Sequence, residues 1–267
     1  MKISKQDFTD LKNAKILLDN PGLAARLTNL FASPIEKGFG LLPEKWMKVV
    51  QIATRKSLEQ ALKLAIKTMN RPNRSQSSEM KHKVAVALSG ATGGAFGLMS
   101  LTIELPISTM IMLRSIATIA RSEGEDLDSL ETMLNCLQVF ALGGKTARDD
   151  AAETGYYAIR AALSKAISDA AQYIAERGLS EKSAPVLVRF ITTIASRFGI
   201  VVSEKIAAMA VPAVGAVGGA MVNTIFMDHF QKMAKGHFTI RRLERKYGAN
   251  VIKTEYEKID TSLVKAS

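Results

Sequence analysis

Residues Val84 to Ile103 read VAVALSGATGGAFGLMSLTI and residues Ala207 to Met227 read AAMAVPAVGAVGGAMVNTIFM, two runs without a single charge. The class of fold turns on what these runs are for. Each is about the 20 residues needed to cross a bilayer core. Composition argues against permanent spanning, because the first holds four Gly, two Ser and two Thr, and the second holds Pro212, three Gly and Asn223. A Leu, Ile, Phe or Val contributes about −0.3 to −0.6 kcal/mol to insertion, so each run supplies only about −3 kcal/mol, most of it offset by its polar and small residues. The glycines suggest another use. Gly90 and Gly94, Gly93 and Gly97, and Gly215 and Gly219 each stand four apart, which leaves a shallow groove where a second backbone can approach. The expectation is an all-α fold: a single helical bundle with two central, uncharged, glycine-rich helices sheathed by amphipathic ones. A core pair that opens to enter a membrane, and a permanent two-span protein, are the competing readings of the same runs.

Working outward, the chain has 267 residues, with 47% hydrophobic but only 6% aromatic content, a helix-former's composition. Gln6 to Leu18 and a stretch from about Pro43 carry apolar residues at near-helical spacing. The polar segment Asn70 to Ser78 reads as a loop. Pro106 predicts a kink or boundary at Leu105, followed by a helix from Ile107 to Ser122 that ends at Glu123-Gly-Glu-Asp126. Asp128 or Ser129 starts a helix through Cys136 that stops at Gly143-Gly144. Ala151 to Arg177 is a further helix closed by Gly178, and Ser180 to Ser183 begins the next. No strand-like alternation competes. Residues 1–78 group as amphipathic helices and a polar loop, and 79–267 as the helical core with a basic C-terminal segment, together forming one domain.

The formal charge is +11, which favours a negative partner: an anionic membrane surface or a membrane protein complex. No nucleic-acid partner is expected, because no zinc-ligand spacing or Arg-aromatic interleaving occurs. A lone Cys136 permits no internal disulfide and reads as a small core residue. With no cleavable signal pattern at the start, the expected location is cytoplasmic, at the inner membrane.

Candidate chemistry lies where polar residues interrupt or close the uncharged runs: Glu104, Asn223, Asp228, His229, His237 and Arg241. Glu104 is either a helix-end acid that reaches water or a basic partner, or a buried acid facing Asn223 or a histidine. On a continuous helix His229 and His237 lie about 80° and about 12 Å apart, so they share a metal only if the helix breaks at Gly236. No metal and no cofactor is expected. Gly143-Gly-Lys-Thr146 imitates the end of a phosphate loop but lacks the first glycine and the preceding strand.

The segments Glu104-Leu-Pro-Ile-Ser-Thr109, Leu113-Arg-Ser-Ile116, Ala120-Arg-Ser-Glu-Gly124, Gly215-Ala-Val-Gly-Gly-Ala220, Asp228-His-Phe-Gln231 and above all Gly236-His-Phe-Thr-Ile-Arg-Arg-Leu-Glu-Arg-Lys-Tyr-Gly248 resemble the EcsC family. The resemblance covers about Val84 to Gly248. It implies a bacterial helical protein, named for a gene accompanying an ABC-transporter operon linked to secretion, and no established activity. Three functions follow as expectations. The first is a non-enzymatic cytoplasmic protein associated peripherally with the inner membrane or an envelope transport complex. The second is a hydrolase with a pocket from Glu104, Asn223, Asp228, His229 and His237. The third is a soluble protein-interaction module.

Overall fold

The computed structural model describes residues 3–19, 22–31, 36–69, 97–144, 155–179 and 184–260. Within them the chain is all-α. The helices are α1 (Lys5–Asp19), α2 (Leu23–Phe31), α3 (Glu36–Phe39), α4 (Trp46–Met69), α5 (Gly97–Ser122), α6 (Leu130–Leu142), α7 (Gly155–Arg177), α8 (Pro185–Ala210), α9 (Pro212–Tyr247) and α10 (Ala249–Lys258).

The centre is α6. Every side chain from Thr132 to Leu142 is buried, and α4, α5, α7, α8 and α9 all pack against it. The helix starts at Ser129, whose Oγ accepts from the Thr132 amide at 3.5 Å, and it closes at Gly143-Gly144. A buried helix end must satisfy its last carbonyls without water, and here two neighbouring helices do so. Arg197 on α8 donates from Nε to the Ala141 carbonyl at 2.9 Å and from Nη2 to the Gly144 carbonyl at 2.7 Å. His229 on α9 donates from Nε2 to the Gly143 carbonyl at 3.0 Å. A Cβ on Gly144 would fall on the Arg197 backbone, and one on Gly143 would come within 2.7 Å of the Phe230 ring. Above this seal, Phe140, Phe198, Phe226 and Phe230 form one aromatic cluster with ring centroids 4.9 to 6.2 Å apart. Cys136 is fully buried, and burial pushes its thiol up to about 12.

Only part of the first uncharged run falls within the described residues. Gly90, Gly93 and Gly94 lie outside the described residues, as does the Asn70 to Ser78 loop, and Gly97 opens α5. The second run is broken: α8 ends at Ala210, Val211 is extended (φ −70°, ψ 119°), and Pro212 starts α9, because a residue before proline is driven out of α geometry. Gly215 and Gly219 lie in the first turns of α9, and a Cβ on Gly219 would meet nothing within 4 Å. Among the described residues no neighbouring helix comes close to Gly219. The glycines at close approaches are Gly38 against the Ala207 carbonyl, Gly143, Gly144 and Gly236.

Pro106, by contrast, does not end a helix, since α5 passes straight through it. The forfeited backbone bond is outweighed by a buried stripe of Leu101, Leu105, Met112, Leu113 and Ile116. The two described helices long and apolar enough to cross a membrane are accordingly Leu101–Ser122 and Pro185–Ala210, each with 39% of its most apolar window buried.

Replacing Gly144 by Ala forces α6 and α8 apart, and urea unfolding should register a loss of about 1–3 kcal/mol. Replacing Gly219 by Ala adds a methyl in open space, so the same measurement should show no loss and a gain of up to about 1 kcal/mol from helix propensity.

Candidate functional site

Of the six polar residues singled out from the sequence, five lie on α9, which runs unbroken through Gly236. Gly236 serves a different purpose, since a Cβ there would lie 2.7 Å from Leu18 Cγ and 3.0 Å from the Ala14 carbonyl, so its bareness seats α1 on α9. From Asn223 to His237 an unbroken helix climbs about 21 Å. These α9 side chains do not converge in one pocket.

Glu104 pairs with Lys205 of α8 at 2.6 Å, the lysine only 1% exposed, and the ammonium lies 4.9 Å from the Phe226 ring centroid. A buried lysine needs such compensation. Of the two readings of Glu104, the basic partner is therefore the one observed. Asn223 has a buried Oδ1 with no hydrogen-bond partner among the described residues. Asp228 binds Arg26 of α2 and, at 3.0 Å, Lys232. Burial pushes its carboxyl up, but the hydrogen bonds from Arg26 and Lys232 outweigh that and hold it below the usual carboxylate range. His229 caps α6, as described above.

His237 is completely buried, with Nδ1 3.0 Å from the Tyr156 hydroxyl of α7. Burial first, then the Arg160 and Arg241 guanidinium groups, hold it well below the ordinary imidazole range. It is therefore neutral near pH 7. Its Nε2, like the Tyr256 hydroxyl, has no partner among the described residues.

Arg241 belongs to a larger arrangement that the sequence did not disclose. The turn after α5 presents Glu123 and Glu125 around Gly124, which sits at φ +79°. Arg241 grips Glu125 with two hydrogen bonds of 2.9 and 3.1 Å, and Arg245 joins it. Arg242 holds Glu123 at 2.7 Å, and Lys235 binds the same carboxylate. Burial pushes both glutamates up, yet their cation partners win and leave them below the usual range. From α1, Asp10 meets Arg242 at 2.7 Å, and Asp7 meets Lys246 at 2.7 Å and the Tyr247 hydroxyl at 2.6 Å. Hydrogen bonds from Lys246, Tyr247 and Ser4 hold Asp7 well below the carboxylate range. Glu244 faces the other way and is clasped by Arg160 at 2.8 and 2.9 Å. The thirteen-residue C-terminal motif is thus an internal ion-pair scaffold locking α1, the α5–α6 turn and α7 onto α9.

Sequence reasoning passed over Lys205, Arg197, Tyr156, Arg160, Glu123 and Glu125. A usable signal existed for some of them. Lys205 is a solitary cation near the end of an apolar helix, and Arg241 and Arg245 at i and i+4 can share one acid partner. Among the described residues no group of three His, Cys, Asp or Glu is placed to hold a metal ion.

Comparison with known proteins adds one finding. The family model described as the EcsC protein family matches residues 12–243, a span that runs from within α1 through α2 to α4 and takes in the segments carrying the resemblance up to Leu243. No curated protein and no solved structure matches the chain.

Because His237 is held neutral while the unfolded chain protonates at about 6.5, stability is complete above that pH and falls below it. The slope from this residue is at most about 1.4 kcal/mol per pH unit. The lowered carboxylates Asp7, Glu123, Glu125 and Asp228 add a second loss as pH drops below about 4 and through their folded values. Urea titrations across this range should find that His237→Gln flattens the upper slope and leaves the lower one.

Proposed function

The chain belongs to the EcsC protein family, and from that premise we propose that it is a non-enzymatic helical protein of the bacterial cytoplasm. In this reading it binds peripherally to the anionic face of the inner membrane, alone or with a transport complex seated there. The observation that carries the reading is the direction in which charge faces. The chain has 36 Lys and Arg against 25 Asp and Glu. Several of its acids are turned inward: Glu123 and Asp7 are each 5% exposed and Glu125 is 8% exposed. Lysines and arginines of α4 and the segment before it, by contrast, face solvent. Lys15 and Lys205 are buried as well, so the surface keeps the net positive charge that the composition gives, and each Lys or Arg near an anionic leaflet contributes about 1 kcal/mol of attraction.

The apolar helices Leu101–Ser122 and Pro185–Ala210 are consistent with a protein that works beside a bilayer. The hydrolase alternative gains no support, because Asn223, Asp228, His229 and His237 are spread along α9, and Glu104, Asp228, His229 and His237 are engaged with separate partners.

Sedimentation of the full chain with vesicles should show pelleting with anionic but not neutral lipid at low salt, released at high salt. Pelleting that survives an alkaline-carbonate wash would mean insertion in place of peripheral binding. No pelleting under any condition would overturn the reading in favour of a soluble docking module.

A further inference from the structure

Eight large apolar side chains are conspicuously exposed among the described residues, and six of them, Leu30, Leu41, Met47, Ile52, Ile103 and Met221, gather at one end of the bundle. The contacts that locate this end run through α8. Its last turns carry Lys205, bound to Glu104 next to Ile103 and placed over the Phe226 ring, little more than a turn beyond Met221. Ala207, half a turn on, receives Gly38 of α3 at backbone contact. Phe39 of α3 then packs at a tilt against Trp46 at the start of α4, with ring centroids 5.6 Å apart. On α2, which precedes α3, the Ala24 amide donates to Glu204. The first turns of α4, α5 and α9 therefore meet the last turns of α8. The two remaining exposed apolar residues, Phe8 and Val251, belong to the opposite end, where α1 and the C-terminus of α9 exchange ion pairs.

The apolar end is also basic. Lys37, Lys45, Lys48, Arg55 and Lys56 are all exposed, against the exposed Glu44 and the Glu59 that pairs with Arg55 at 3.0 Å, and on α4 Lys48, Arg55 and Lys56 alternate with Met47 and Ile52 along the outward face. Exposed apolar residues set among long basic side chains are what an element lying in a membrane interface presents, the apolar groups entering the acyl boundary and the cations reaching headgroup phosphates. Resting on the membrane reading above, we propose that this end of the bundle, centred on the first two turns of α4 and flanked by Ile103 and Met221, is the face that seats on an anionic bilayer. The ion-paired end carrying α10 points away. The occupant is lipid because the face pairs scattered apolar groups with a surplus of cations; a protein groove for one helix would call for a contiguous apolar stripe.

The test uses the full-length protein with an environment-sensitive fluorophore at Ile52→Cys, Ile103→Cys or, as the distal control, Val251→Cys. All three positions are exposed, and the native Cys136 is fully buried and so does not compete for the label. On phosphatidylcholine vesicles containing phosphatidylglycerol, the Ile52 and Ile103 labels should shift to the blue and become shielded from aqueous iodide, with the Val251 label unchanged. Lys45→Gln and Lys48→Gln should each weaken vesicle binding about fivefold. If the Val251 label responds and the other two do not, membrane binding stands but this face is wrong. If an Ile52 label is already shielded in the free protein and vesicles leave it unmoved, the face is covered by the protein or a second copy, and the proposal falls. If the unlabelled protein does not bind anionic vesicles at all, both the proposal and the function reading fall.

Discussion

A helix buried on every side has a terminal problem, because its last carbonyls have no intrahelical donors and no water. In this bundle α6 creates that problem, and Arg197 and His229 solve it by reaching in from α8 and α9 to the carbonyls of Ala141, Gly143 and Gly144. Leaving even one such group unsatisfied costs about 1–3 kcal/mol, so the geometry around Gly143 and Gly144 is tightly specified. The side chains that cap α6 also fix where α8 and α9 lie. That places Phe198, Phe226 and Phe230 around Phe140, and sets Lys205 beside Glu104.

From that centre the two ends of the molecule diverge. Toward the C-terminus of α9, nearly every charge is answered within the chain: Glu123, Glu125, Asp7 and Asp10 neutralise Lys235, Arg241, Arg242, Arg245 and Lys246. Such networks hold elements in register more than they add net stability, since desolvation consumes much of the attraction. At the other end Lys205 is buried against Glu104, while the exposed surface mixes apolar side chains with lysines. The residues that looked most chemical in the sequence therefore hold the scaffold together, and the surface with unspent attraction lies elsewhere, on α4 and its neighbours.

Much of this architecture was legible because helix ends are local chemistry. Ser129 and Gly178 announce themselves by caps and dihedral preference, and the structure uses both. Pro106 misled because its local preference competes with a buried stripe on α5 that only tertiary packing creates. Glycine spacing carries no such local certainty: a groove on one helix matters only if a partner enters it, and among the described residues none enters at Gly219. The separation of His229 from His237 followed from helix geometry alone, but their partners, Gly143 and Tyr156, lie more than eighty residues away and carry no local mark. For the same reason Arg241 was recognisable as important without its partner Glu125 being identifiable.

The central claim is that a sealed core with an ion-paired end presents its opposite, apolar and basic end to an anionic membrane without opening. Hydrogen–deuterium exchange of the full-length protein, with and without anionic vesicles, tests both halves of that claim in one measurement. New protection confined to the first turns of α4 and α5, with the amides of α6 and the C-terminal half of α9 exchanging as slowly as before, is the predicted result. Protection centred on the ion-paired end, or faster exchange in α6, would contradict it.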